Sequence, residues 1–373
     1  MQFSQLSAVK HRVVLGQPLP FNIRNADHTL LLARGHMLDS REQMEALFER
    51  GALVDIAELR TPLAPVMDAP PEMLPALWGQ CMDKVGQTLK ASSQPGFGAA
   101  LDDVSGPVMS LIERDSDLAI FQVLRQHDNA HTEYGTNHSL HAAIATCLVA
   151  QRLGWDAAST QTAFKAALTM NLAMLELQGQ LASQATPVTA AQRQAIDAHP
   201  LGSVRMLELA GITDPDWLRA VAEHHEVPDG SGYPKGLREV SEVASLVRRA
   251  DIYTAKLSAR KGRDSMAADQ AGRTMFMQEP GHPMAAALAK EFGVYPPGCY
   301  VKLASGETAV VVKRGASVTT PLVAALTTPG GEALADPEAR DTSKPETAIA
   351  CVVNEKSVRT RVAPEKLMKL ALS

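Results

Sequence analysis

The chain has 373 residues, of which 45% are hydrophobic and 21% charged, and its formal net charge is −5. That length implies two or three folded units with sizeable cores. The acidic balance argues against a nucleic-acid polymer as partner, because phosphate backbones are gripped by clustered Lys and Arg; a small anionic nucleotide stays open, since a few local cations or a metal can hold it.

Residues 1–61 read as a small α+β unit. Pro20 to Arg24 and Thr29 to Ala33 form a hairpin across Asn25-Ala26-Asp27-His28. Ser40 stands where an N-cap belongs, ahead of Met44, Leu47 and Phe48, and Gly51 supplies the stop. The amino terminus, MQFSQLSAVKHRVV, lacks the apolar stretch of a signal peptide. No apolar run approaches the ~20 residues that span a bilayer. A cytoplasmic protein without a membrane partner is expected. Cys81, Cys147, Cys299 and Cys351 have no metal-type spacing and read as free thiols.

Residues 62–127 read as a linker, marked by Pro62, Pro65, Pro70 and Pro71, with leading helices that include Met73 to Leu89. From about Val104 to Phe292 the pattern is helical, and an antiparallel bundle of at least five helices is expected. Leu140, Ile144, Cys147 and Leu148 share one helical face. Asp115 and Asp117 read as a solvated face. The conspicuous interruption runs from Pro228 to Gly236.

After Val294-Tyr295-Pro296-Pro297-Gly298 the composition turns to strands. Cys299 to Leu303 and Ala309 to Lys313 form a hairpin, and Pro321 to Leu326 and Ala348 to Val353 are further strands. Residues 295–373 are therefore expected to form a small β-barrel. The fold class is mainly α, a helical bundle between a small amino-terminal α+β unit and this β domain.

The chemistry concentrates in His224-His225-Glu226-Val227-Pro228-Asp229-Gly230-Ser231-Gly232-Tyr233-Pro234-Lys235-Gly236-Leu237. Adjacent histidines at a helix end can offer two imidazoles to one metal or to two neighbouring ones. The plainer alternative is a surface helix end followed by a loop that only turns the chain.

This run matches HHE-x-x-DGxGYPxGL, the hallmark of the HD-GYP family. Residues 128–294 thereby resemble an HD-type domain of the cyclic di-GMP phosphodiesterase kind, used in bacterial signal transduction. Other landmarks follow in order: Tyr134 to Leu140 with His138, Ala198-His199-Pro200-Leu201-Gly202, and Arg249-Ala250-Asp251-Ile252-Tyr253. The resemblance implies that His138, His199, His224, His225 and Asp251 are metal ligands meeting in one pocket. It also implies that Asp229, Gly230, Gly232, Tyr233, Pro234 and Lys235 form a loop facing a ligand or a signalling partner. Two plainer roles stay open, a hydrogen-bonded His138–Asp251 pair and a helix-start role for His199.

Where the family writes His-Asp-x-Gly-Lys, this chain has Met170-Asn171-Leu172-Ala173-Met174. Thioether is a poor ligand for Fe, Mn or Ni, and neutral Asn cannot bridge two cations that repel each other. At most one divalent metal of the Fe, Mn or Ni type is expected, at His199, His224 and His225, and loss of the metal altogether fits equally. No catalytic residue is assigned. The first functional reading is a degenerate HD-GYP signalling protein that binds cyclic di-GMP, a related cyclic dinucleotide or another protein without hydrolysing it. The alternative is an active metal-dependent phosphodiesterase, and the third is a scaffold; homodimerisation stays open.

Overall fold

The computed structural model describes residues 3–125, 133–261 and 263–360, apart from 14, 16–18, 20, 34, 39 and 56–63, and residues 362–371 apart from 364, 365, 368 and 369. The boundaries expected at 61/62 and 127/128, with Pro20, Pro62 and Asp128, lie outside the described residues. The chain forms two compact units, residues 1–68 and 69–373.

The first unit holds β1 (Phe3–Gln5), β2 (Ile23–Arg24), β3 (Leu30–Leu32), α1 (Arg41–Glu49), β4 (Leu53–Asp55) and a single turn, α2 (Ala64–Met67). Its antiparallel sheet has the order β1-β4-β2-β3. The expected hairpin is β2–β3, with Ile23 opposite Leu32, and Ser40 caps α1 by accepting from the Gln43 amide. Phe21, Ile23, Leu38, Leu47 and Val54 make the core.

The second unit begins with α3 (Leu74–Lys90), α4 (Phe97–Arg114) and α5 (Ser116–Leu124). It continues through α6 (Tyr134–Arg152), α7 (Ala157–Thr169), α8 (Leu175–Ser183), α9 (Ala190–Leu209), α10 (Pro215–Glu223), α11 (Glu242–Leu257), α12 (Ala268–Gln278) and α13 (Pro283–Phe292). Helix α6 is the hub, packing on α3, α5, α7, α8, α11 and α13. From Tyr134 to Ala150 every residue except Asn137 is buried. A helix so weakly amphipathic belongs at the centre, and its Gly, Ala, Ser and Thr residues let neighbours approach. No helix among the described residues is long and apolar enough to cross a membrane.

Five strands complete the unit: β5 (Tyr300–Leu303), β6 (Thr308–Lys313), β7 (Leu322–Thr327), β8 (Ala333–Asp341) and β9 (Ile349–Val352). They form an antiparallel sheet in the order β8-β7-β6-β5-β9. The expected barrel is not formed, because the edge strands β8 and β9 do not pair with each other among the described residues. The physical reason is coverage. Ala309 to Val312 and Val323 to Leu326 are buried on both faces, and one face shares a core with Leu124 of α5 and with Tyr295. A sheet covered in this way buries its apolar residues without closing. The outer strand β8 carries Asp336, Pro337, Glu338 and Arg340, which discourage further strand pairing.

Asp115 and Asp117 are also not the solvated face expected of them. Asp115 caps α5 by accepting from the Leu118 amide, and Asp117 pairs with Arg314 just beyond β6. Arg314 also reaches Glu291 of α13 at 3.0 Å, so it staples the sheet to the helices.

Candidate metal and ligand site

His199 and Pro200 lie inside α9 rather than at its start. An internal proline has no N–H to donate to the carbonyl four residues earlier, here Ile196. His199 fills that gap, with its Nδ1 2.5 Å from Ile196 O. The ring is thereby held as the Nδ1–H tautomer, and Nε2 carries the lone pair.

His224 follows the last residue of α10, where helix carbonyls lack intrahelical partners. Its Nδ1 lies 2.7 Å from Val221 O, so its Nε2 is likewise the lone-pair nitrogen. These two Nε2 atoms are 3.1 Å apart. His225 completes the group, and the three rings bring ligand nitrogens within 4.8 Å of one another. Burial pushes His199 down to about 3, with His224 adding, and pushes His224 down and His225 well below its ordinary value. All three are therefore neutral, the state that binds metal. Two neutral lone pairs facing each other at this distance repel unless a cation lies between them. The donor set thus fits a single divalent ion, with backbone carbonyls fixing two of the rings.

The other expected ligands pair with each other. His138 on α6 places Nε2 2.6 Å from Asp251 Oδ1 on α11, and its Nδ1 is buried without a hydrogen-bond partner among the described residues. Burial pushes the Asp251 carboxyl up, but the opposing effects, led by the hydrogen bond and electrostatic pull of His138, hold the group below the usual carboxylate range. Met170, at the end of α7, is fully buried, and Asn171 is 2% exposed. The Trp217 indole donates to Thr169 Oγ1 at 2.8 Å and pins this step against α10.

Glu226 organises the loop. Its buried carboxylate accepts from the amides of Lys235 at 2.7 Å and Leu237 at 2.9 Å, while Tyr233 N donates to His225 O. At Gly232 a Cβ would come within 2.5 Å of Glu226 Cα, so only glycine permits this close approach. The loop puts the Tyr233 ring against His225, with ring centres 4.5 Å apart. Asp229 is exposed and accepts from the Ser231 amide, which makes it a turn residue, and Lys235 is exposed.

Between these parts lies a cleft of about 180 Å³ lined by His138, Met174, His225, Tyr233 and Asp251, together with Tyr134, Gln178 and Arg260. Of the last three, Tyr134 was named from sequence only as the start of a landmark helix, and Gln178 and Arg260 were missed. Arg260 donates to Tyr134 Oη at 2.8 Å, with its guanidinium carbon 4.9 Å from that ring's centre. Gln178 is 6% exposed and its Oε1 has no hydrogen-bond partner among the described residues. The basic run Arg260-Lys261 was a signal for a phosphate-facing cation; nothing local marked Gln178.

The chain is similar to known proteins. A family model described as HD domain matches residues 122–279. A cyclic di-GMP phosphodiesterase of Pseudomonas aeruginosa is 28% identical over 197 residues, which is 51% of this chain and 47% of that protein. A 3'3'-cGAMP-specific phosphodiesterase 3 of Vibrio cholerae is 28% identical over 146 residues, 38% of this chain and 31% of that protein. The chain thus spans less than half the length of either relative. A solved structure of an HDG"Y"P protein from Bdellovibrio bacteriovorus superposes with a TM-score of 0.51 at 16% identity, covering 78% of this chain and 98% of the other. That likeness concerns the fold.

Proposed function

Because the chain belongs to the HD-GYP family through its HD domain, we propose that it is a signalling protein that binds a cyclic dinucleotide in the histidine cleft without hydrolysing it. One observation carries this reading: Met170 and Asn171 are buried where the family has its His-Asp step, and the remaining His138 Nε2 is paired with Asp251. The activities for which the relatives are named, on cyclic di-GMP and on 3'3'-cGAMP, give the ligand class.

At most one divalent ion belongs here, held by His199, His224 and His225. When bound, it supplies positive charge to a phosphate oxygen. Arg260 adds a second cation to the same cleft, and Tyr233 adds an aromatic wall. A cleft of about 180 Å³ is smaller than the ~300–1,000 Å³ usual for small-molecule sites. It admits one phosphodiester group, while the bases stay outside, near the Tyr233 loop, where a protein partner could also read them.

The intact imidazole trio and Arg260 favour a second reading, weak hydrolysis supported by one metal. Turnover of cyclic di-GMP and 3'3'-cGAMP, measured beside calorimetric binding, separates the two. Binding is expected, with turnover at least roughly several hundredfold below a complete family member. Robust turnover by metal-loaded protein that is lost in His224→Ala would establish the enzyme reading instead.

A further inference from the structure

A cavity of about 540 Å³, against about 180 Å³ for the histidine cleft, lies in the second unit where α11 and α12 meet β5 and β9. It shares no lining residue with the cleft. Its size falls within the ~300–1,000 Å³ range of small-molecule sites.

Two features of its wall are ready for a ligand. Arg125 lies on the Tyr300 ring, its guanidinium carbon 4.3 Å from the ring centre, and it is held by an ion pair with Glu355. That stack is a flat platform suited to a planar ring. Asp269, half-buried in the first turn of α12, and Arg273, exposed one turn later, form no hydrogen bond or ion pair among the described residues.

A ligand matching this wall has a planar ring, adjacent N–H donors for a carboxylate and an anionic group for a guanidinium. Guanine presents two neighbouring donors along one edge, whereas adenine sets a lone pair beside its amino group and would oppose a carboxylate. We propose that this seam cavity is a guanine-nucleotide site. The base stacks on Arg125 and Tyr300, its donor edge faces Asp269, and the phosphate is drawn to Arg273. The proposal does not depend on what the histidine cleft binds.

Calorimetric titration of the full chain with GMP, AMP and cyclic di-GMP tests it, with Asp269→Asn, Arg273→Ala and His224→Ala as variants. Both seam positions are accessible to solvent, so folded variants are expected, and circular dichroism checks this. GMP should bind saturably and roughly tenfold or more tighter than AMP. Asp269→Asn should abolish that preference, Arg273→Ala should weaken both nucleotides, and His224→Ala should leave GMP binding unchanged. Cyclic di-GMP that competes with GMP in the His224→Ala protein identifies the dinucleotide as a source of the guanine; failure to compete identifies a mononucleotide, and the site stands in either case. The proposal is overturned if GMP shows no saturable binding, if its binding disappears in His224→Ala, or if neither seam substitution alters it.

Discussion

His199 Nε2 and His224 Nε2 stand 3.1 Å apart, and each ring has its Nδ1 committed to a backbone carbonyl. In the His199 case the acceptor is free because Pro200 cannot donate to it. A residue that usually breaks helices here leaves an acceptor that fixes the His199 tautomer and turns its Nε2 lone pair toward His224.

Pro200→Ala should therefore separate stability from metal binding. The new amide would compete for Ile196 O, loosening the His199 tautomer while repairing the helix. Thermal unfolding should be unchanged or rise, and affinity for a divalent ion, read by chelator competition, should drop roughly tenfold or more. Unchanged affinity would show that the backbone contact does not prepare the ring.

Metal content follows from the charge at the buried step. The wild-type protein should hold at most one divalent ion per chain, and His224→Ala should hold none. Met170→His with Asn171→Asp restores an imidazole and a bridging anion, which should raise the content toward two. Elemental analysis that finds two ions in the wild type would end the reading of a dismantled two-metal centre.

Glu226 is expected to act through the loop rather than on any ligand. Glu226→Ala leaves two amides without their carboxylate acceptor and should destabilise the protein by about 2–4 kcal/mol, with Glu226→Gln losing less. Denaturant unfolding gives the magnitude, and limited proteolysis should show cleavage between Pro228 and Gly236 rising first. A loop equally protected in Glu226→Ala would contradict this role.

Glu307 supplies a pH test of the sheet. Burial pushes its carboxyl up, but hydrogen bonds from Arg340 and Ser305 outweigh this and lower it from 4.5. A depressed carboxylate contributes stability above its unfolded value, and that contribution fades as pH falls through the folded one. Glu307→Gln should thus lower the melting temperature at pH 7, and the difference from wild type should shrink as the pH falls below 4.5. A difference that persists undiminished in acid would mean that the charge is not what matters.

The features legible in the sequence are those written in contiguous residues. Ser40 as a cap, the Tyr300–Lys313 hairpin and the run from His224 to Leu237 each depend on local spacing, which periodicity and turn chemistry encode directly. The Met170-Asn171 departure was equally visible, because it needs only the identity of two neighbours. The identity of the HD domain was therefore already present in the order of its motifs.

The sequence by itself determined which residue types reach the site and that charge is missing from it. Tertiary structure alone decided that His138 joins Asp251 across 113 residues, that Arg260 meets Tyr134 across 126, and that the carboxy-terminal strands stay open. These outcomes depend on which surfaces cover one another once α6 is buried. Packing between distant segments has no signature in local periodicity, and it also sets the burial that keeps His199, His224 and His225 neutral.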